Sequence, residues 1–154
     1  MLKHIAISVA IFAAGPASAL SCLRPEVGSS FERADQREEA FVVALGSLER
    51  SGPNVMDGPE TGDPNMRVGY GFPARFTGRL ATSGGFNADR ALDVTVEVGC
   101  VSAWCGDDSL SDYGLYFLRL DEAGSYALEA GPCGGFFFGN PEEHQLMEVI
   151  SLMP

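Results

Sequence analysis

The chain has 154 residues, 45% of them hydrophobic, which is enough for one domain with a packed core. Ten basic and 21 acidic residues give a net charge of −11 at pH 7, and that balance argues against nucleic acid and anionic membrane surfaces, both of which are held by clustered cationic side chains. Lys3 is the only lysine, so every later base is an arginine or one of two histidines.

Lys3 precedes an apolar run from Ile5 to Ala14, Gly15-Pro16 break the run, and Ala17-Ser18-Ala19 supplies the small residues a signal peptidase accepts. The expectation is a signal peptide over 1–19, a mature chain starting near Leu20, and a periplasmic or secreted protein. The run is too short to cross a bilayer and no later stretch is longer, so no transmembrane segment is expected. Ser18 to Cys22 also loosely fits a lipoprotein box, with Ala19 where leucine is usual. Lipidation at Cys22 is therefore an alternative, although it would leave three thiols and one of them unpaired.

Ser30 can cap a short polar helix with Phe31 and Ala34 on its thin apolar face. Ala40 to Leu48 is rich in β-branched and apolar residues and reads as a strand. Residues 51–66 are glycine, proline, aspartate and asparagine without a period, a long loop. Val68 to Phe72 reads as a short strand or loop stem. Ala74 to Thr82 alternates with Phe76, Gly78 and Leu80 inward, and Gly78 suggests a bulge or a barrel corner. Leu92, Val94, Val96 and Val98 alternate with polar residues as one face of a half-buried antiparallel strand. Gly114 to Leu120, with Tyr116, Leu118 and Leu120 on one face, turns at Asp121–Gly124 into Ser125–Ala130 as a hairpin. Asn140 as cap, Pro141 first and Glu143 third begin a C-terminal helix over 141–153, with a stripe of Leu146, Val149, Ile150 and Met153. The elements predict a single, mainly all-β domain over 20–154 with about five strands in antiparallel order and a short C-terminal helix.

Four cysteines in an exported chain are most simply two disulfides, with three possible pairings. Cys100 and Cys105 lie close enough beyond a strand end for a local bridge, and Cys22 then pairs with Cys133. Zinc is the other use of four cysteines, but no Cys-x2-Cys pair is present and an oxidising compartment works against it.

Cys22 with Pro25, the strand AFVVALG, Cys105-Gly106 followed by Gly114 to Leu118, and Tyr126 to Cys133 together resemble the netrin-like module over residues 22–138. That family, which includes tissue inhibitors of metalloproteinases and complement C-terminal domains, has a five-stranded OB-type Greek-key barrel. The resemblance implies an N-terminal cysteine tied to the later strands, in line with Cys22–Cys133. Family inhibitors grip a protease zinc through a cysteine that is the mature first residue. Here Leu20 and Ser21 precede Cys22, and Cys105 has Cys100 nearby in place of the family's usual partner.

No catalytic, cofactor-binding or metal-binding residues are expected. His144, the one histidine left once His4 is lost, lies on the polar side of the last helix and reads as a surface residue, with a general base as the alternative; the serines have no second histidine to order a triad, and the cysteines serve better as bridges. Asp107, Asp108 and Asp112 crowd one loop, and Asp57, Glu60 and Asp63 another, without EF-hand order; both read as solvated loops, with calcium as the alternative. Phe136-Phe137-Phe138 must send its middle ring to the opposite face, so Phe137 is either core, with cover from the terminal helix, or a partner-binding ring. Trp104 either stacks on its own disulfide or stands exposed as a recognition anchor near Tyr113. The expected function is an exported, non-catalytic interaction module that binds a protein or small molecule through loops 51–66 and 104–113. The alternatives are a metalloprotease inhibitor acting through the Cys22 edge and a lipoprotein anchored at Cys22.

Overall fold

Side-chain alternation dictates the long strands of the computed structural model, which describes residues 21–154. The expected signal peptide over 1–19 lies outside the described residues. The elements are α1 (Val27–Asp35), β1 (Ala40–Arg50), β2 (Val55–Met56), β3 (Tyr70–Thr82), β4 (Gly85–Val98), β5 (Cys100–Val101), β6 (Trp104–Cys105), β7 (Gly114–Leu120), β8 (Tyr126–Ala130), β9 (Phe137–Gly139) and α2 (Glu143–Leu152). Among the described residues no helix is long and apolar enough to cross a membrane.

The protein is mainly β, as the alternation predicts, but its main sheet is mixed and seven-stranded rather than five-stranded and antiparallel. β1 pairs antiparallel with β3, β3 with β4, β8 with β7 and β7 with β1, so the pairings return to the strand where they start. The departure is β4 against β8, which run parallel. Their register sets Val94, Val96 and Val98 beside Tyr126, Leu128 and Ala130, so apolar rows meet. The Asp121–Gly124 turn predicts the β7–β8 hairpin, but nothing local reveals that β8 also finds β4. β2 adds to β3 and β9 to β7, two short strands that period-two reading passes over.

β3 runs unbroken through Pro73, which has no N–H to give but accepts the Ser51 N–H at 2.9 Å through its carbonyl. Gly78 is not a bulge. It faces Gly46, which in turn faces Gly114, a row of three glycines across β3, β1 and β7; the register irregularity falls at Leu80/Ala81 instead.

Val94, Val96 and Val98 pack inward with Leu48, Phe72, Phe76, Tyr116, Leu118 and Leu128. β7 was expected to bury one face, yet Leu115 and Phe117 are as buried as Tyr116 and Leu118. Phe136 covers the second face, 6.2 Å from Phe117 and 5.4 Å from Phe41, and α1 packs over β1 and β7. The ring of Phe136 is capped by Arg33, 4.5 Å from its centroid, so the first helix supplies the cover expected of the last.

Both helix starts differ from expectation. Ser30 lies inside α1, fully buried, and its Oγ donates back to the Glu26 carbonyl at 3.0 Å; Glu26 is the cap residue. Asn140 adopts a left-handed φ of 49° at the end of β9, and α2 starts at Glu143. There the Gln145 side-chain oxygen accepts the Glu142 N–H at 2.9 Å, a capping box two residues later than the Asn140 pattern. Val149 is fully buried beneath α2, which packs on α1 and β3.

The parallel register also sets Glu97 directly opposite Glu129, two like charges. Arg119 on β7 resolves them, with bonds of 2.8 Å to each, and Arg37 adds 2.7 Å to Glu129 and 2.9 Å to Glu39. Burial pushes the Glu129 carboxyl up, but the two arginines outweigh it and hold it below the usual range. The Arg37 hydrogen bond draws Glu39 down to about 2. Carboxylates depressed on folding lend stability that is complete above their unfolded value of 4.5 and lost as pH falls through the folded value. The midpoint of thermal unfolding is thus expected to stay level from neutral pH to about 4.5 and to fall towards pH 2. Arg119→Met should cost about 1–2 kcal/mol at pH 7, since the site is partly exposed, and less at pH 3, as read by chemical denaturation. An equal loss at both pH values would contradict the assigned pairing.

Candidate functional site

The registers bring the candidate loops to one end of the sheet. Tyr70 starts β3 opposite Val98, Val98 ends β4 beside Ala130, and Arg50 ends β1 opposite Ala74. Loops 51–69 and 99–113 and the segment 131–136 therefore share a rim. Both disulfides sit there, Cys100–Cys105 and Cys22–Cys133, in the pairing expected, and no free cysteine is left among the described residues.

Cys100–Cys105 staples the miniature ribbon of β5 and β6, whose other pair is Val101 with Trp104. Successive residues of a strand point to opposite faces, so Trp104 cannot lie on its own disulfide. It is 61% exposed, next to Val101 at 56%. Ser102 turns the ribbon with φ of 57° and holds the neighbouring loop: its carbonyl accepts the Arg67 N–H at 3.0 Å and its Oγ donates to the Asn65 carbonyl at 2.8 Å. Those bonds fix Met66, 59% exposed, beside the tip that carries Trp104. Loop 51–69 is also tied internally, the Thr61 Oγ1 donating to the Met66 carbonyl at 3.0 Å and Asp63 accepting the Asn65 N–H at 2.8 Å. Met56, Met66, Val68, Tyr70, Glu60 and Asp63 line a hollow of about 440 Å³ in its surface.

Charge anchors the base of the rim. The Arg50 guanidinium lies 3.4 Å from the Phe72 ring centroid, bonds Asn54, and reaches Asp108 at 3.1 Å. The Tyr70 hydroxyl donates to the same Asp108 carboxylate at 3.0 Å, and burial pushes that phenol up. The acidic cluster read from sequence therefore divides. Asp108 is a structural tie between the loops, while Asp107 accepts the Ser109 N–H at 2.9 Å and Asp112 is exposed. Among the described residues no group of histidine, cysteine and carboxylate side chains is arranged to hold a metal ion.

Of the three rings singled out as partner-binding, the structure sets Trp104 in the β5–β6 ribbon, Tyr113 at the end of the 99–113 loop just before β7, and Phe137 in β9. Tyr113 is exposed and its carbonyl accepts the Asn140 N–H at 2.9 Å. Phe137 is half-buried and stacks on Tyr116 at 5.0 Å. His144 is exposed on α2, 3.2 Å from Glu142. Sequence reasoning missed Val55, Met56, Met66 and Val101, although an apolar side chain in a loop of glycine, proline and aspartate was itself the signal, because no local structure there calls for one. No protein-family model, curated protein or solved structure matches the chain.

Proposed function

We propose that the protein is an exported, non-catalytic interaction module of netrin-like, OB-barrel type, and that it recognises its partner through the rim around Trp104. The observation that carries this reading is where the large exposed apolar side chains lie. Nine large apolar side chains are exposed among the described residues, and six of them, Val55, Met56, Met66, Val101, Trp104 and Tyr113, belong to the 51–69 and 99–113 segments, which a disulfide and cross-loop hydrogen bonds hold. Rigid, exposed apolar patches mark binding sites, and an aromatic anchor in a pinned loop loses little entropy on docking. The barrel reading draws on the strand order β1-β3-β4-β8-β7 with β7 back on β1, and on the parallel β4–β8 pair. Export is favoured by the two disulfides, which persist in oxidising compartments. The Cys22–Cys133 bond occupies the sulfur that lipidation would need, so the soluble form is preferred to the lipoprotein.

A second reading, inhibition of a metalloprotease through the Cys22 edge, draws on Leu23, 90% exposed beside the bridged Cys22. A mature chain that begins with Cys22 would favour it; one that begins at Leu20 would weaken it.

A photoreactive phenylalanine analogue placed at position 104 in the envelope of the producing cell is expected to give a discrete, saturable protein adduct. The same group at exposed Arg90 should give none. Equal labelling at both positions, or none at 104, would contradict the reading.

A further inference from the structure

We infer that the rim takes a basic polypeptide segment carrying an apolar side chain, an inference that rests on the rim being the interaction surface. Trp104, Val101 and Met66 present the apolar contact. In the two loops that carry them Asp57, Glu60, Asp63, Asp107 and Asp112 are exposed carboxylates, whereas Arg67 is the single base there and Arg50 is engaged by Asp108. An anionic ligand brought to these loops meets a local excess of negative charge, and a cationic one is steered towards it. Nucleic acid and anionic lipid are thereby disfavoured. A lysine or arginine beside the apolar anchor gains twice, from the carboxylates and from the open face of Trp104.

Two features select a polypeptide over a small cation. The hollow of about 440 Å³ walled by Met56, Met66, Val68 and Tyr70 has room for an apolar side chain with adjoining backbone, and Glu60 and Asp63, which outnumber Arg67 in its wall, suit a flanking base. β2, at its edge, is hydrogen-bonded to β3 on one side only, which offers backbone groups to an extended chain.

The test is selection of a random-peptide library on the oxidised protein, with counter-selection on Trp104→Ala. Enriched sequences are expected to place lysine or arginine around a leucine, phenylalanine or similar side chain. A synthetic peptide of the selected sequence should bind with an affinity that falls with rising salt, that drops at least ~10-fold in Trp104→Ala and in the Glu60→Gln, Asp63→Asn pair, and that is unchanged in Met147→Ser on α2. Glutamine and asparagine keep an acceptor oxygen, so the loop's own bonds persist, and an unchanged thermal midpoint verifies it. Enrichment of acidic or uncharged sequences, failure to enrich any sequence, or binding indifferent to salt would overturn the inference. A partner cross-linked at position 104 through an acidic or neutral segment would overturn it while sparing the rim reading; absence of any adduct there would defeat both.

Discussion

Exchange of Cys22 and Cys133 for serine is expected to destabilise the protein by about 3–5 kcal/mol, the larger of the two disulfide effects. The bridge joins residues 111 apart in sequence, so it closes every element from α1 to β8 into one loop, and the entropy it removes from the unfolded chain grows with the logarithm of loop size. It also ties the start of the described chain, just before α1, to the segment beyond β8, and α1 covers the outer face of β1 and β7. The Cys100–Cys105 bridge spans only five positions and should cost nearer 2 kcal/mol when removed. Its loss should instead loosen the β5–β6 ribbon and with it the placement of Trp104. Denaturant titration of the two double-serine variants measures the difference. Equal losses would show that the long bridge constrains little.

Gly46→Val is expected to cost 3 kcal/mol or about that, or to prevent folding, because nothing near Gly46 can give way. A Cβ there would stand 2.7 Å from the Gly78 Cα, a backbone atom on the adjacent strand. The same constraint is repeated across the row. A Cβ on Gly78 would lie 2.8 Å from the Phe76 ring, and one on Gly114 would lie 2.6 Å from the Tyr116 ring and 2.8 Å from Phe137. Phe76 and Tyr116 pack edge to face at 6.0 Å, and the Tyr116 hydroxyl donates to the Ser111 carbonyl at 3.0 Å, with burial pushing the phenol up to about 12. The three glycines thus vacate the volume that these rings fill. Gly131→Ala, where a Cβ would meet nothing within 4 Å, is the control and should stay within about 0.5 kcal/mol of the parent. A tolerated valine at position 46 would mean that the strands do not approach as closely as the register implies.

The contrast between what was legible and what was not follows the range of the signals. Val94, Val96 and Val98 announce their buried face through alternation alone, and the Asp121–Gly124 turn announces its hairpin, because both depend on neighbours in sequence. The spacing of Cys100 and Cys105 likewise gives the local bridge and, by remainder, the long one. The parallel β4–β8 pairing is invisible for the opposite reason: its partners are some thirty residues apart with β5, β6 and β7 between them, so no single turn sets their direction. Burial of β7 on both faces depends on α1 and Phe136, which arrive from both ends of the chain. At the rim, the sequence offers Trp104 as an anchor but leaves its orientation undecided, since that is settled by its pairing with Val101. Met66 joins the surface only through bonds made by Ser102 and Asn65, which no local pattern encodes.

Amide chemical-shift mapping with the partner captured at position 104 tests the central claim most directly. Binding is expected to shift residues of the 54–68 and 100–107 segments and to leave the α2 surface around Met147 and Leu152 unmoved. Shifts centred on α2, or on the far half of β4 around Arg90, would place recognition elsewhere and contradict the account.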